Sequence, residues 1–314
     1  MLEAGETQSM SDETSDIGTR NTTAVARVAS EMERQLALPL ASGLYLVATP
    51  IGHLADMSLR AIAILARADV IYCEDTRHSR TLLAHYGIRS PLQPYHEHNA
   101  EEQRPRVLRD LENGRVVALI SDAGTPLVSD PGFKLVREAA AQGHSVIAVP
   151  GASATLAALS VSGLPTDAFF FAGFLPAKGG ARKTRASELA TVPGTLVLFE
   201  APTRLAATLR DLTAVLGNRQ AAIARELTKL HEEIRRATLS ELADHFEDNP
   251  PKGEIVIVVG PPEQGEISDD MIEAKLAPAL EGLSIRDASR VVAEQLQISK
   301  ARVYDVALAM KRGR

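Results

Sequence analysis

Six stretches of this chain gather small residues, prolines and carboxylates in a way that suits a ligand-lined cleft. They are Thr49–Ser58 (TPIGHLADMS), Glu74–Arg80 (EDTRHSR), Ser121–Gly132 (SDAGTPLVSDPG), Pro150–Ala154 (PGASA), Glu200–Arg204 (EAPTR) and Arg225–Glu233 (RELTKLHEE). Small side chains let backbone N–H and C=O groups approach a bound molecule closely. Carboxylates add proton acceptors and partners for hydroxyls. Each stretch taken alone has a plainer reading. Gly and Pro after a strand often mark only a turn. Asp122 and Asp130 suit capping of the turns that follow them, and Glu74 and Asp75 beside Arg77 suit a surface ion pair. All six, however, follow a short apolar run, and in open α/β sheets ligands collect at the carboxyl ends of strands. Together they point to one shared site.

Several chemistries are disfavoured. A dinucleotide site needs G-x-G-x-x-G after the first strand, where this chain has Thr49-Pro50-Ile51-Gly52. No G-x-x-x-x-G-K-[ST] phosphate loop is present. His231 beside Glu232 and Glu233 lacks a second suitably spaced His, and His96 and His98 in YHEHN lack a third ligand, so no metal is expected. Cys73 is the only cysteine, which excludes an internal disulfide and a cysteine-cluster metal site. The first residues lack the basic-then-apolar order of a signal peptide, and no run is long enough to span a bilayer. We expect a cytoplasmic protein without a membrane partner.

The elements that must position these stretches are legible from periodicity. Eight apolar runs read as strands: Leu44–Ala48, Val70–Cys73, Val116–Ile120, Ser145–Val149, Phe169–Ala172, Leu196–Phe199, Ala221–Ala224 and Ile255–Val259. Ser58–Ala66, Arg104–Asn113, Pro131–Gln142, Ser153–Leu159 and Pro202–Leu216 read as helices between them. That is an α/β pattern with buried strands. The turn cluster SGLPTD at Ser162–Asp167 and the linker GPPEQGE at Gly260–Glu266 divide the chain. We expect an acidic, disordered tail over residues 1–40, an α/β domain over 41–162, a second over 163–262, and a small helical domain over 268–314. In the last, Ile285–Leu296 and Ser299–Met310 form a helix-turn-helix-like pair with Ser284 and Ser299 as N-caps. Net charge is −6 at pH 7, so basic charge matters only locally: Lys178–Arg185 holds Lys178, Arg182, Lys183 and Arg185 with no acid.

GLYLVATPIGHLADMSLRA, CEDTRHSR, YHEHN, SDAGTPLVSDPG, VPGASA, FFFAGFLP, FEAPTR, ARELTKLHEE and KGEIVIVVG occur in this order. The series resembles the motifs of the ribosomal RNA small subunit methyltransferase I family, within the tetrapyrrole methylases. The C-terminal LSIRDASRVVAEQLQISKARVYDVAL is similar to the helical domain that ends many members. The resemblance covers nearly everything except the first forty residues. It departs at His53, where members usually carry Asn. It implies the tetrapyrrole-methylase fold, two α/β domains around a cleft, homodimers, and S-adenosylmethionine (AdoMet) as methyl donor. The implied acceptor is the ribose 2′-hydroxyl of a cytidine in 16S ribosomal RNA near the decoding centre, with the RNA or the small ribosomal subunit as partner.

By resemblance, Ser121, Asp122, Ala123, Gly124 and Thr125 should line the cofactor, with Asp130 nearby and Pro50 closing the first loop. Ser153 and Ala154 open a helix whose free N–H groups suit a carboxylate. Ala201, Glu254 and Ile255 should flank the adenosine. A sugar hydroxyl is a weak nucleophile until its proton is taken, and Asp75, Glu200, Glu226 and Lys229 are the candidate bases. Arg77 and Arg204 suit a phosphate, and PAKGGARKTR reads as a mobile basic loop for RNA. Two other readings stand beside this one. A same-fold enzyme acting on a porphyrinoid or a protein would usually carry a glycine-rich first loop. A helix-turn-helix regulator that senses AdoMet would bind duplex DNA without turnover.

Overall fold

The structure, a computed structural model, describes residues 6–129, 132–262, 269–296 and 298–312. The chain divides into two compact units, one ending at Pro261 and the other beginning at Pro262.

The first unit holds two five-stranded sheets. Sheet one is built from β1 (Gly43–Val47), β2 (Val70–Cys73), β3 (Leu92–Pro94), β4 (Val116–Ile120) and β5 (Val146–Val149). Its order is β3-β2-β4-β1-β5, and every pairing is parallel. Because β4 and β5 flank β1, the order reverses there, and a crevice is expected at the carboxyl ends of β1 and β4. The crossovers are α2 (Leu59–Arg67), α3 (Thr76–His85), α4 (Ala100–Glu112) and α5 (Phe133–Ala141). They cover both faces, giving one core around Val47, Leu65 and Ile71 and another around Leu44, Val107 and Leu135. Cys73 is wholly buried at the end of β2, 3.7 Å from the Gln93 carbonyl oxygen, and burial pushes its thiol pKa up.

After α6 (Ala154–Val161) the chain enters sheet two: β6 (Phe169–Phe174), β7 (Thr195–Glu200), β8 (Gln220–Arg225), β9 (Glu233–Thr238) and β10 (Ile255–Val259). Its order is β6-β7-β10-β8-β9, antiparallel except for the β6–β7 pair. One face packs under α7 (Gly179–Leu189), α8 (Leu205–Leu216) and α9 (Leu239–Asp248), where Leu198, Leu205, Leu209 and Leu212 have no exposure. Each such side chain stabilises the fold by about 1.5–3 kcal/mol. The other face receives Ala158 and Leu159 of α6 and Ile51 from the loop after β1, which joins the two sheets.

Within the tail expected to be disordered over residues 1–40, one helix, α1 (Glu6–Ala37), is present, and the first five residues lie outside the described residues. No proline interrupts the chain before Pro39. The end of this helix packs on α2, Leu40 joins the first core, and Arg67 donates to the Leu38 carbonyl oxygen at 2.6 Å. Those contacts reward ordering that polar composition alone does not predict. The second unit contains α10 (Asp269–Ala279), α11 (Ile285–Leu296) and α12 (Lys300–Arg312) around Ile272, Leu276, Val292 and Val303. Ser284 and Ser299 accept from the N–H groups of Asp287 and Arg302, as N-caps do. Part of the turn at Gln297–Ile298 lies outside the described residues. Among the described residues no helix is long and apolar enough to cross a membrane.

Candidate active site

Strand-end loops from both sheets surround one cavity of about 410 Å³, within the usual range for small-molecule sites. The first wall starts at Thr49 and Gly124. They exchange two backbone hydrogen bonds, of 2.9 and 3.0 Å, and lock the loops after β1 and β4 together. Gly124 has φ of +80°, a conformation that disfavours any side chain. Ala123, Gly124 and Thr125 line the cavity, and the Thr125 hydroxyl donates to the Ala152 carbonyl oxygen at 3.1 Å. Ser153 and Ala154 also line it. Ser153 caps α6 by accepting from the Leu156 N–H, which leaves the first amides of that helix pointing at the cavity end. The second wall holds Glu200, Ala201 and Pro202 after β7, Leu227 after β8, and Gly253, Glu254 and Ile255 at β10. Phe174 and Phe199 close it with ring centroids 5.6 Å apart.

Not every expected cofactor residue reaches the cavity. Pro50 is buried in its turn, and Ser121 donates its hydroxyl to the carbonyl oxygens of Ala123 and Gly124. Asp122 accepts the Asp75 N–H at 3.1 Å. These three shape the loop without lining the space. Asp130 lies outside the described residues. Thr155 went unnoticed in the sequence, a threonine in an ordinary helical run. Its hydroxyl is buried and has no partner among the described residues, and the residue lines the cavity at 5% exposure. A buried hydroxyl left without a bond is costly, and this one belongs to a residue of the cavity wall.

The four non-glycine residues with positive φ all belong to loops of this site: Leu127, Ser129, Glu226 and Thr228. Such backbone costs about 1–3 kcal/mol per residue and concentrates at ligand clamps. The last two shape a junction between the sheets. Thr228 accepts the His53 N–H at 3.0 Å, and a Cβ on Gly52 would stand 2.5 Å from Lys229 Cγ. His53 caps the short turn that follows through Nδ1, accepting from the Ala55 N–H. Asn at this position can act as the same acceptor.

The candidate bases are mostly engaged. Glu200 is buried and accepts from the Ala201 N–H, from Arg204 Nε and from the Thr208 hydroxyl, each within 2.7 Å. It holds this loop together as a strut, with its carboxylate oxygens occupied. Asp75 caps α3, and hydrogen bonds from the Arg77 guanidinium and backbone hold its carboxyl well below the usual range. Lys229 sits between Glu226 and Glu254 at 2.9 and 3.0 Å. Burial opposes its charge, but the two carboxylates outweigh burial and raise its pKa. Glu226 is lowered by the Glu254 N–H and by Lys229. Glu74 behaves differently. Burial first, then the charges of Asp122 and Asp75, push its pKa up.

The family model described as Tetrapyrrole (Corrin/Porphyrin) Methylases matches residues 43–243, and that described as RsmI C-terminal HTH domain matches 266–311. The "Ribosomal RNA small subunit methyltransferase I" of Mesorhizobium japonicum is 59% identical over 229 residues, covering 72% of this chain and 78% of that protein. The protein of that name from Pseudomonas aeruginosa is 44% identical over 275 residues, covering 85% and 97%. The chain belongs to the ribosomal RNA small subunit methyltransferase I family. Its fold is also that of a cobalt precorrin-4 methyltransferase, with a TM-score of 0.54 at 19% identity over 69% of this chain and 94% of that one. A uroporphyrin-III C-methyltransferase from Thermus thermophilus complexed with S-adenosylhomocysteine gives 0.50 at 23% identity, over 69% and 97%.

The basic residues singled out in this family member separate into two kinds. PAKGGARKTR is not a loop: its glycines open α7, with Lys178 at the N-cap. Arg182 is buried and pairs with Asp211 at 2.6 Å, so it braces α7 against α8 and is unavailable to RNA. Arg204 is taken by Glu200 at 2.5 Å. Lys183 and Arg185 are ion-paired to Asp211 and Glu188 but stay largely exposed. Lys178 is exposed, and Arg77 is 88% exposed beside Asp75.

Proposed function

We propose that this protein transfers the methyl group of AdoMet to the ribose 2′-hydroxyl of a cytidine in 16S ribosomal RNA near the decoding centre. The name of its close relatives supports ribosomal RNA as substrate. The observation that carries the reading is the single cavity walled by both sheets, with the unpartnered Thr155 hydroxyl and the start of α6 at one end and the Phe174–Phe199 pair in its wall. Apolar lining, free amides and a lone hydroxyl suit a cofactor with an adenine, a ribose and an amino-acid end. AdoMet supplies an activated methyl on a sulfonium that is already a good leaving group. The residues hold and orient. Amides of α6 face the carboxylate, Ala201, Glu254 and Ile255 flank the adenosine, and the rigid Thr49–Gly124 junction fixes the reacting end. Glu74 takes the proton of the ribose hydroxyl: it follows the carboxyl end of β2 and precedes Asp75, whose N–H bonds Asp122 of the cavity loop, and its raised pKa suits a base.

Purified protein incubated with AdoMet and small ribosomal subunits is expected to yield 2′-O-methylcytidine on nucleoside mass spectrometry. Methyl only on a base atom would discard the ribose assignment. Cofactor binding should also be insensitive to pH near neutrality. The lowered Glu226 keeps its charge to lower pH than an ordinary glutamate, and the raised Lys229 keeps its own to higher pH than an ordinary lysine. Calorimetry from about pH 6 to about pH 8 should therefore give a constant affinity for S-adenosylhomocysteine, with loss only on acidification. A steep change within that window would break the account of this cluster.

A homodimer is part of the same reading. Phe169 and Phe170 lie on the edge strand β6 at 43% and 40% exposure, apolar surface that a second copy can cover. Sedimentation should give twice the chain mass, and Phe170→Glu should give the monomer. A wild-type monomer at micromolar concentration would end this part.

A further inference from the structure

From Thr76 through His96 the chain carries no Asp or Glu, yet it carries Arg77, Arg80 and Arg89. In a chain with 40 acidic and 34 basic residues, such a run biases one region strongly toward positive potential. Folding shapes it into α3, the turn at Gly87 and β3. Arg80, Leu83 and Ala84 lie at i, i+3 and i+4, so they share one face of the helix. With Ile88 and Arg89 they line a second cavity of about 280 Å³.

Both arginines here are exposed, and neither has an ion pair or side-chain hydrogen bond among the described residues. Elsewhere Arg104, Arg182, Arg204 and Arg225 are tied to carboxylates. The hydroxyl of Ser90, also in the lining, is spent on the Leu65 carbonyl oxygen at 2.6 Å. The free donors are therefore two guanidiniums above the buried Leu83 and Ile88. Apolar surroundings strengthen an ionic contact, and guanidinium fits a phosphate in a fork. Helix α3 begins after Asp75, whose N–H bonds Asp122 in the cavity loop, and its ten residues run about 15 Å back along the sheet. The pocket, which includes Leu92 at the start of the parallel strand β3, therefore lies toward the amino ends of the strands, away from the cavity.

We propose that the Arg80–Arg89 pocket holds a backbone phosphate of the substrate RNA, at a nucleotide remote from the one in the cleft. The proposal rests on RNA being the substrate. The test compares wild type, R80A/R89A and R80K/R89K by anisotropy with a labelled ribosomal RNA fragment at several salt concentrations. The alanine pair should bind roughly tenfold more weakly, with a salt slope lower by about one per arginine. Its AdoMet affinity and Tm should match wild type. The lysine pair should keep the slope but only part of the affinity. Unchanged RNA affinity and slope in R80A/R89A would overturn the pocket, as would loss of AdoMet affinity in step with RNA. A methylation assay separates the two readings. Pocket-dependent RNA binding by a wild type that methylates no ribose leaves the pocket standing and removes the acceptor. A wild type that binds no RNA removes both.

Discussion

Gly253→Ala is expected to weaken AdoMet binding at least about tenfold, the loss that 1.4 kcal/mol produces, in a protein that still folds. Gly253 has φ of +89° and lines the cavity. A Cβ there would lie 2.3 Å from Glu226 Oε1 and 2.6 Å from its Cγ, closer than atoms can stand. Glu226 is not free to yield. It accepts the Glu254 N–H and Lys229 Nζ, both at 2.9 Å, from a backbone already at φ of +51°. Alanine therefore either breaks charge-assisted bonds of about 1.5–3 kcal/mol each or twists the segment that presents Glu254 and Ile255. Gly87→Ala is the control. It has φ of +68° with nothing within 4 Å of a new Cβ, so it suffers the backbone strain without the clash. Calorimetry should show normal AdoMet affinity for G87A and a loss for G253A, with Tm lower by a few degrees in each. Equal affinities would mean that the Glu226 cluster does not shape the site.

Glu74→Gln should reduce kcat by about 10²–10⁴-fold, the usual contribution of a positioned base, with AdoMet affinity unchanged. The sign of the pH dependence follows from the upward shift. Glu74 stays protonated, and idle as a base, to a higher pH than an ordinary glutamate. The acid limb of kcat should therefore lie at higher pH than an ordinary glutamate would give. Asp122→Asn removes the charge that, after burial, does most to raise Glu74, so it should move the limb toward lower pH. Wild-type turnover in E74Q, or an acid limb unmoved in D122N, would take Glu74 out of the reaction.

Much of this architecture is readable from the residues because buried strands here are continuous apolar runs. All eight runs are strands. The two strands without such a run are β3, which is three residues long and ends in Pro94, and β9, which reads Glu-Ile-Arg-Arg-Ala-Thr. Both are sheet edges, where one side meets solvent or loops and an apolar run is not required, although the other two edges, β5 and β6, carry one. The site was legible where small residues crowd a loop, as at Ala123–Thr125. It was not legible where a role depends on distant partners. Arg182 looks like its basic neighbours until Asp211, far along the chain, folds onto it. Glu200 is a strut only because Arg204 and Thr208 arrive one and two turns later. Thr155 differs from any helical threonine only in having nothing to bond. Helix α1 was misread because tertiary packing on α2 outweighs a polar composition.

The enclosed thiol at the end of β2 has a practical use. With its Sγ sealed behind β3 and its proton held by burial, it will ignore maleimides and disulfide reagents while the fold is intact. A dye can therefore be attached at one introduced surface cysteine with no need to delete the native one. Under mild denaturant the same sulfur becomes a clock, since each alkylation records one parting of β2 from β3.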